Sequence, residues 1–227
     1  MTRRALVAIL ALSLGAAPLV AQQGGGGGTA RLDSALAAAL APTLDAARID
    51  GLPEPPLLAK AQEGVLKRAS RERIVGAVSA LADRMRAARG ELAPNATDHE
   101  IIAGAEALAV GVSGSVLRAI RVYRPRGTAA MPLEVMAHLA WRGVKPDQAA
   151  DAITRIVAGG ATTAQLVALD ASVRQDVEAG VAPPTALATR TRGLTLQLQS
   201  PLNRSATDAA PSLQSQGGAT RVRPRKP

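Results

Sequence analysis

Regularly spaced glycines divide the second half of the chain into lengths that suit single helices. Residues 143–149 and 180–186 share the pattern Gly-Val-x-Pro-x-x-Ala. A glycine can end a helix in a left-handed conformation, the next apolar residue can pack back, and proline suits the first turn of the following helix. The distances from Gly111 to Gly143 and from Gly143 to Gly180, 32 and 37 residues, each fit one helical hairpin. We therefore predict an all-α fold, as a helical bundle or a short, solenoid-like array of α-hairpins.

Apolar residues recur at helical spacing over residues 30–192, which we predict to be the folded domain. The clearest stripe consists of Ile74, Val78, Leu81, Met85, Ala88 and Leu92. Thr97 and Glu100 have the spacing of a capping box at the start of the next helix. Pro42 is expected to kink or divide the first helix. The residues expected in the core are Ile74, Val78, Leu81, Met85, Leu108, Ile153, Ile156, Leu166, Leu169 and Val173.

The composition restricts both the core and the chemistry. The chain has no cysteine and no phenylalanine, with a single tryptophan, Trp141, and a single tyrosine, Tyr123. Disulfides, thiolate catalysis and cysteine-ligated metals are therefore excluded. The core must consist of Ala, Leu, Val and Ile, which bury little area each but allow helices to approach closely.

The first residues have the layout of an export signal. Arg3 and Arg4 precede a short apolar run, a proline at position 18 and Ala21, after which cleavage is expected. We assign residues 1–21 to a signal peptide and residues 22–29 to a glycine-rich linker. The location expected for the protein is the periplasm or the extracellular space. The general and twin-arginine export routes both remain open, as does an uncleaved signal that anchors the protein.

The positive charge is concentrated near the end of the chain. The net charge is +9, and residues 190–227 contain seven basic residues against one acid, Asp208. Periodicity stops at Gly193, so we predict that residues 193–227 form a disordered basic tail. Its Arg221, Arg223 and Arg225 are candidates for binding an anionic surface; alternatively, the tail serves only solubility.

A second group of arginines lies inside the predicted domain. Arg118, Arg121, Arg124 and Arg126 surround Tyr123, with no acid between Glu106 and Glu134. Guanidinium groups bind phosphate or carboxylate through paired hydrogen bonds, so these four are candidate anion-binding residues. The alternative is that they pair with acids on neighbouring helices or are simply solvated.

Other chemistry is sparse in the sequence. Glu134 and His138 are four residues apart on one helical face, where they could share a proton, but no third metal ligand stands out. Ser113 and Ser115 lack the strand-turn-helix context of a nucleophile elbow. We predict no catalytic residue, no metal and no cofactor.

The function expected from these features is that of an exported, non-catalytic helical interaction or structural protein of the cell envelope. One alternative is an envelope enzyme with a site near Arg118–Arg126 or Glu134/His138. Another is binding to a membrane or surface polymer through the basic tail. The expected partner is an anionic envelope component or another protein, and no nucleic acid is expected.

Overall fold

The computed structural model describes residues 32–125 and 129–200, and every regular element in these ranges is a helix. The all-α prediction is therefore confirmed. The helices are α1 (Ser34–Ile49), α2 (Pro55–Leu66), α3 (Arg71–Glu91), α4 (Asp98–Ala109), α5 (Gly114–Tyr123), α6 (Ala130–Trp141), α7 (Pro146–Ala158), α8 (Thr163–Glu178) and α9 (Pro183–Gln199).

Glycine ends several helices in the way that the sequence predicted. Positive φ angles occur at Gly51, Gly111, Gly143, Gly160 and Gly180. At Gly143 φ is 97°. The N–H of Gly143 donates to the carbonyl of Ala140 and the N–H of Val144 to that of Leu139, each at 3.0 Å. This is a Schellman motif, and Val144, which follows the glycine, is buried against the core.

Helix starts also follow local signals. The Thr97 hydroxyl accepts the N–H of Glu100, and the Glu100 carboxylate accepts the N–H of Thr97, which confirms the capping box. Thr162 and Gln165 form a second one at the start of α8. Pro42, in contrast, does not divide the first helix, since α1 continues through it.

The helices pack as two layers of alternating members. The odd-numbered helices contact one another in order, α1 with α3, α3 with α5, α5 with α7 and α7 with α9. In the other layer α4 contacts α6 and α6 contacts α8, whereas α2 packs on α3 and scarcely contacts α4. The result is a short stack of helical hairpins with one gap, between α2 and α4.

Two apolar clusters fill the space between the layers. One is built around α1–α4 and the other around α3–α9, so that α3 and α4 contribute to both. Close approach at α4 depends on Gly104, where a Cβ would lie 2.9 Å from the Cβ of Ala88. Of the residues predicted to form the core, eight are buried, and Leu81 and Leu108 are partly buried.

The predicted boundary of the domain at residue 192 is wrong, because α9 continues to Gln199. Leu194 is buried and Leu198 packs against the core, which extends the apolar stripe of Leu187 by about three further turns. Gly193 lies in open space within this helix. A glycine inside a helix costs roughly 0.5–1 kcal/mol, and burial of the flanking leucines outweighs that cost.

Several predictions concern residues outside those that the structure describes. They are the signal peptide at 1–21, the linker at 22–29 and the remainder of the basic tail from residue 201. Within residues 32–125 and 129–200, no helix combines the length and the apolar character needed to cross a membrane.

We expect Gly143→Ala to destabilise the protein by about 1–2 kcal/mol, because an L side chain is strained at this positive φ. A Cβ at this position has room, since its nearest neighbour would be a Pro183 atom at 3.8 Å. The matched control is Gly76→Ala, at an exposed site within α3 with nothing within 4 Å, which should stabilise by about 0.5–1 kcal/mol. Urea unfolding of both variants measures the difference, and effects of equal sign would contradict the left-handed cap.

Candidate functional site

The described arginines of the predicted anion-binding group, Arg118, Arg121 and Arg124, each have partners within the fold. Arg118 donates through Nε to Oε2 of Glu91 at 2.8 Å, and its Nη2 lies 2.7 Å from the same oxygen. Arg124 donates to the carbonyl of Ala161, in the loop that follows α7. Arg126 lies outside the described residues, as do Arg221, Arg223 and Arg225. The described arginines of this group are therefore engaged within the fold.

Arg121 has the most enclosed position of the group. Its side chain is 10% exposed, and Nη2 lies 2.8 Å from Oε2 of the fully buried Glu100. This contact is a buried ion pair. Nε donates to the Leu92 carbonyl at 2.9 Å and Nη1 to the Arg124 carbonyl at 3.2 Å. Arg121 thus joins α5 to the C-terminal end of α3 and to the start of α4.

Glu100 collects donors from three segments. Besides Arg121, its Oε2 accepts the N–H of Thr97 at 3.0 Å, and its Oε1 accepts the N–H of Ala129 at 3.0 Å. Burial alone would raise the pKa of this carboxyl. Arg121 and the two backbone donors outweigh burial, so that the pKa of Glu100 is held below its usual value. The carboxylate is therefore ionised at neutral pH and fixes the chain where α6 begins.

Arg121→Met should destabilise the protein by about 3–5 kcal/mol, because it leaves a buried carboxylate without its counter-ion. Arg118→Met removes an exposed pair three residues away on the same helix and should cost less than about 1 kcal/mol. Urea or thermal unfolding compares the two variants. Similar losses at both positions would contradict the distinction between the buried and the exposed pair.

The same carboxylate predicts how stability depends on acidity. Because the pKa of Glu100 is lowered in the folded state, its contribution is complete above the ordinary glutamate pKa of about 4.3 and is lost as the pH falls below it. The stability difference between wild type and Glu100→Gln should therefore shrink between about pH 7 and about pH 3. Glu178→Gln, which removes an exposed carboxylate, is the control for the loss of one acid from the surface. A constant difference for Glu100→Gln would contradict the assignment.

Glu134 and His138 share a helix but interact with different partners. Oε1 of Glu134 lies 2.6 Å from Nε2 of His99 on α4, whereas Nδ1 of His138 lies 3.3 Å from Oδ2 of Asp170 on α8. Arg142 also binds Asp170. These contacts connect α4, α6 and α8 in a row of polar side-chain contacts. The two residues therefore serve two separate interhelix contacts.

Glu106 lies beside this row, on α4. Burial raises its pKa and the neighbouring carboxylate of Glu134 raises it further, while His138 and His99 oppose the increase. Among the described residues, no group of three or more histidines and acids is placed to hold a metal ion. Ser113 and Ser115 hydrogen-bond to each other at 2.9 Å on the surface.

A groove of about 360 Å³ occupies the gap between α2 and α4, a size in the range of ligand-binding clefts. Its floor is α3, where Met85 is buried and Leu81 half-buried. The groove is lined by Pro56, Ala59, Lys60 and Glu63 of α2, by Leu81, Arg84 and Met85 of α3, by Ile102, Ala105, Glu106 and Ala109 of α4, and by Trp141 of α6. We call it the Trp141 groove.

Trp141, at the end of α6, is the most conspicuous residue of this groove. Trp141 is 61% exposed, although it is the largest apolar residue in the chain. The indole packs against the His138 ring, with the ring centroids 5.8 Å apart and the ring planes inclined at 35°. Because His138 also contacts Asp170, the ring against which the indole packs is itself held by a second contact. An exposed, supported tryptophan beside an apolar floor is typical of a binding surface.

Other depressions lie on the surface between α8 and α9 and on both sides of α7, with volumes of about 260–470 Å³. One of them, between α5 and α7, includes Tyr123. The Trp141 groove differs from them because it occupies the gap between α2 and α4 in one of the two helix layers. We therefore take it as the candidate functional site.

The sequence contains little that would identify this site. Arg84 and Trp141 are 57 positions apart, and neither belongs to a recognisable motif. The signal available was that the single tryptophan directly precedes a helix-ending Arg-Gly pair, where exposure is common. Comparisons of the chain with protein-family models, with curated proteins and with solved structures find no match in any of the three.

Proposed function

We propose that this chain is an exported, non-catalytic helical protein of the cell envelope that binds a partner protein in the Trp141 groove. The observation that carries the proposal is the gap between α2 and α4, which leaves an apolar floor open beside an exposed tryptophan. Stacked helical hairpins typically bind through such extended surfaces. Export is supported by the basic and apolar layout of residues 1–21.

We favour binding over catalysis because the candidate catalytic groups are already engaged. Glu134 is paired with His99, and His138 with Asp170, so that neither is directed to a shared reaction centre. Glu106 alone combines a raised pKa with a position in the groove. The other carboxylate of the groove, Glu63, is engaged by Lys60 and Lys67, so the two acids do not form a free acid–base pair.

Trp141→Ala should weaken partner binding by about 2 kcal/mol or more, roughly thirtyfold, as expected for a tryptophan at the centre of an interface. Its melting temperature should hardly change, because the side chain is largely exposed. The assay is photocrosslinking in the producing cells with p-benzoylphenylalanine in place of Ala109 on the groove wall. We expect one discrete adduct in the envelope fraction, which is lost when Trp141→Ala is added.

The control places the same photocrosslinker at Leu196, which is 64% exposed on α9 and remote from the groove. An adduct formed equally from position 196, or one that is unaffected by Trp141→Ala, would contradict the proposed surface. Recovery of the adduct from the cytoplasm alone would contradict export.

A further inference from the structure

Arg84 on the floor of the Trp141 groove has no counter-ion among the described residues, and no hydrogen bond to any of them. The cations around it differ in this respect. Lys60 and Lys67 both bind Glu63, Arg86 binds Asp50 and Asp83, and Arg142 binds Asp170. Arg84 is therefore the cation of this region that the described part of the fold leaves without an acid.

The guanidinium of Arg84 is also partly withdrawn from water. Its Nε is buried and has no hydrogen-bond acceptor. Native proteins pair nearly all buried donors, and an unsatisfied donor on a charged group is costly. An apolar surrounding strengthens the attraction of such a group for an anion, because charges interact more strongly where water is excluded.

The acids of the groove are not available to Arg84. Glu63, on the α2 wall, is engaged by two lysines, which lower its pKa to about 2. Glu106 lies on the α4 wall, where its electrostatic neighbours are Glu134, His138 and His99. Lys60 and Glu63 balance each other on the α2 wall, so the charges that remain in the lining are the Arg84 cation on α3 and the carboxyl of Glu106 on α4. An occupant that complements it presents a carboxylate to the α3 side.

We infer that the partner segment bound in the Trp141 groove places a carboxylate on Arg84 and an adjacent apolar side chain against Leu81, Ile102 and the Trp141 indole. The class of ligand is therefore an acidic–apolar peptide segment. This inference rests on the proposed function and adds the chemistry of the partner. Arg84 contributes a charge-assisted hydrogen bond to the carboxylate, while the apolar floor contributes burial.

The test uses a random peptide library displayed on phage and selected on the purified chain. Enriched peptides should contain Asp or Glu next to a large apolar residue. Their binding is measured by the emission of Trp141, which is the single tryptophan in the chain and therefore reports the groove directly. Arg84→Gln should weaken a selected acidic peptide about tenfold or more, and should weaken the same peptide with its acid changed to the amide by less than about twofold.

Arg73→Gln is the matched control, because it removes the same charge from an exposed position near the start of α3, away from the groove. It should leave the binding of both peptides unchanged, and circular dichroism should show that both variants are folded. Equal losses from Arg84→Gln and Arg73→Gln would overturn the inference, since they would indicate a general effect of charge.

The outcomes separate this inference from the proposed function. If enriched peptides lose binding with Trp141→Ala but lack an acid and tolerate Arg84→Gln, the groove binds peptides and the role of Arg84 is wrong. If no peptide is enriched, or if enriched peptides bind equally to Trp141→Ala, both the inference and the proposed peptide-binding surface are wrong. Binding that depends on Trp141, Arg84 and the peptide carboxylate together supports both.

Discussion

The buried ion pair between Glu100 and Arg121 connects more of the molecule than any other contact described above. It joins the end of α3, the start of α4, the last turn of α5 and the chain that enters α6. The ion pair contacts both α3 and α4, which are the helices that supply residues to both apolar clusters. A buried charge is tolerated only when it is compensated, and here a cation and several donors supply the compensation. The relative placement of these helices is thereby restricted to arrangements that keep the pair together.

This use of arginine inside the fold explains why charge density along the sequence is a poor guide to the site. Two arginines of the acid-free segment, Arg118 and Arg121, are paired in space with Glu91 and Glu100, which come earlier in the chain on α3 and α4. Arg84, by contrast, has Asp83 beside it in sequence, yet that carboxylate binds Arg86. The cation of the Trp141 groove that the described residues leave without a partner is therefore one that the sequence gives no reason to select.

The helices were predictable because their limits depend on nearby residues. Gly143 and Val144 determine the end of α6, and Thr97 with Glu100 determines the start of α4, within a few residues of chain. The end of α9 was not foreseen, because the polar residues after Gly193 conceal the helical spacing of Leu194 and Leu198. Both leucines pack against the core that the neighbouring helices form. The Trp141 groove was not foreseen either. It results from α2 packing on α3 without reaching α4, and no local pattern encodes that gap.

The sequence by itself therefore determined the secondary structure, the glycine caps, the aliphatic core and the absence of cysteine chemistry. These follow from backbone geometry and from side-chain composition, which act over one or two helical turns. The tertiary structure alone decided which acid each arginine meets, that Glu134 and His138 are divided between α4 and α8, and that Trp141 stands beside an open apolar floor. Such pairings depend on distances between residues far apart in the chain, and these distances exist only after the helices have packed.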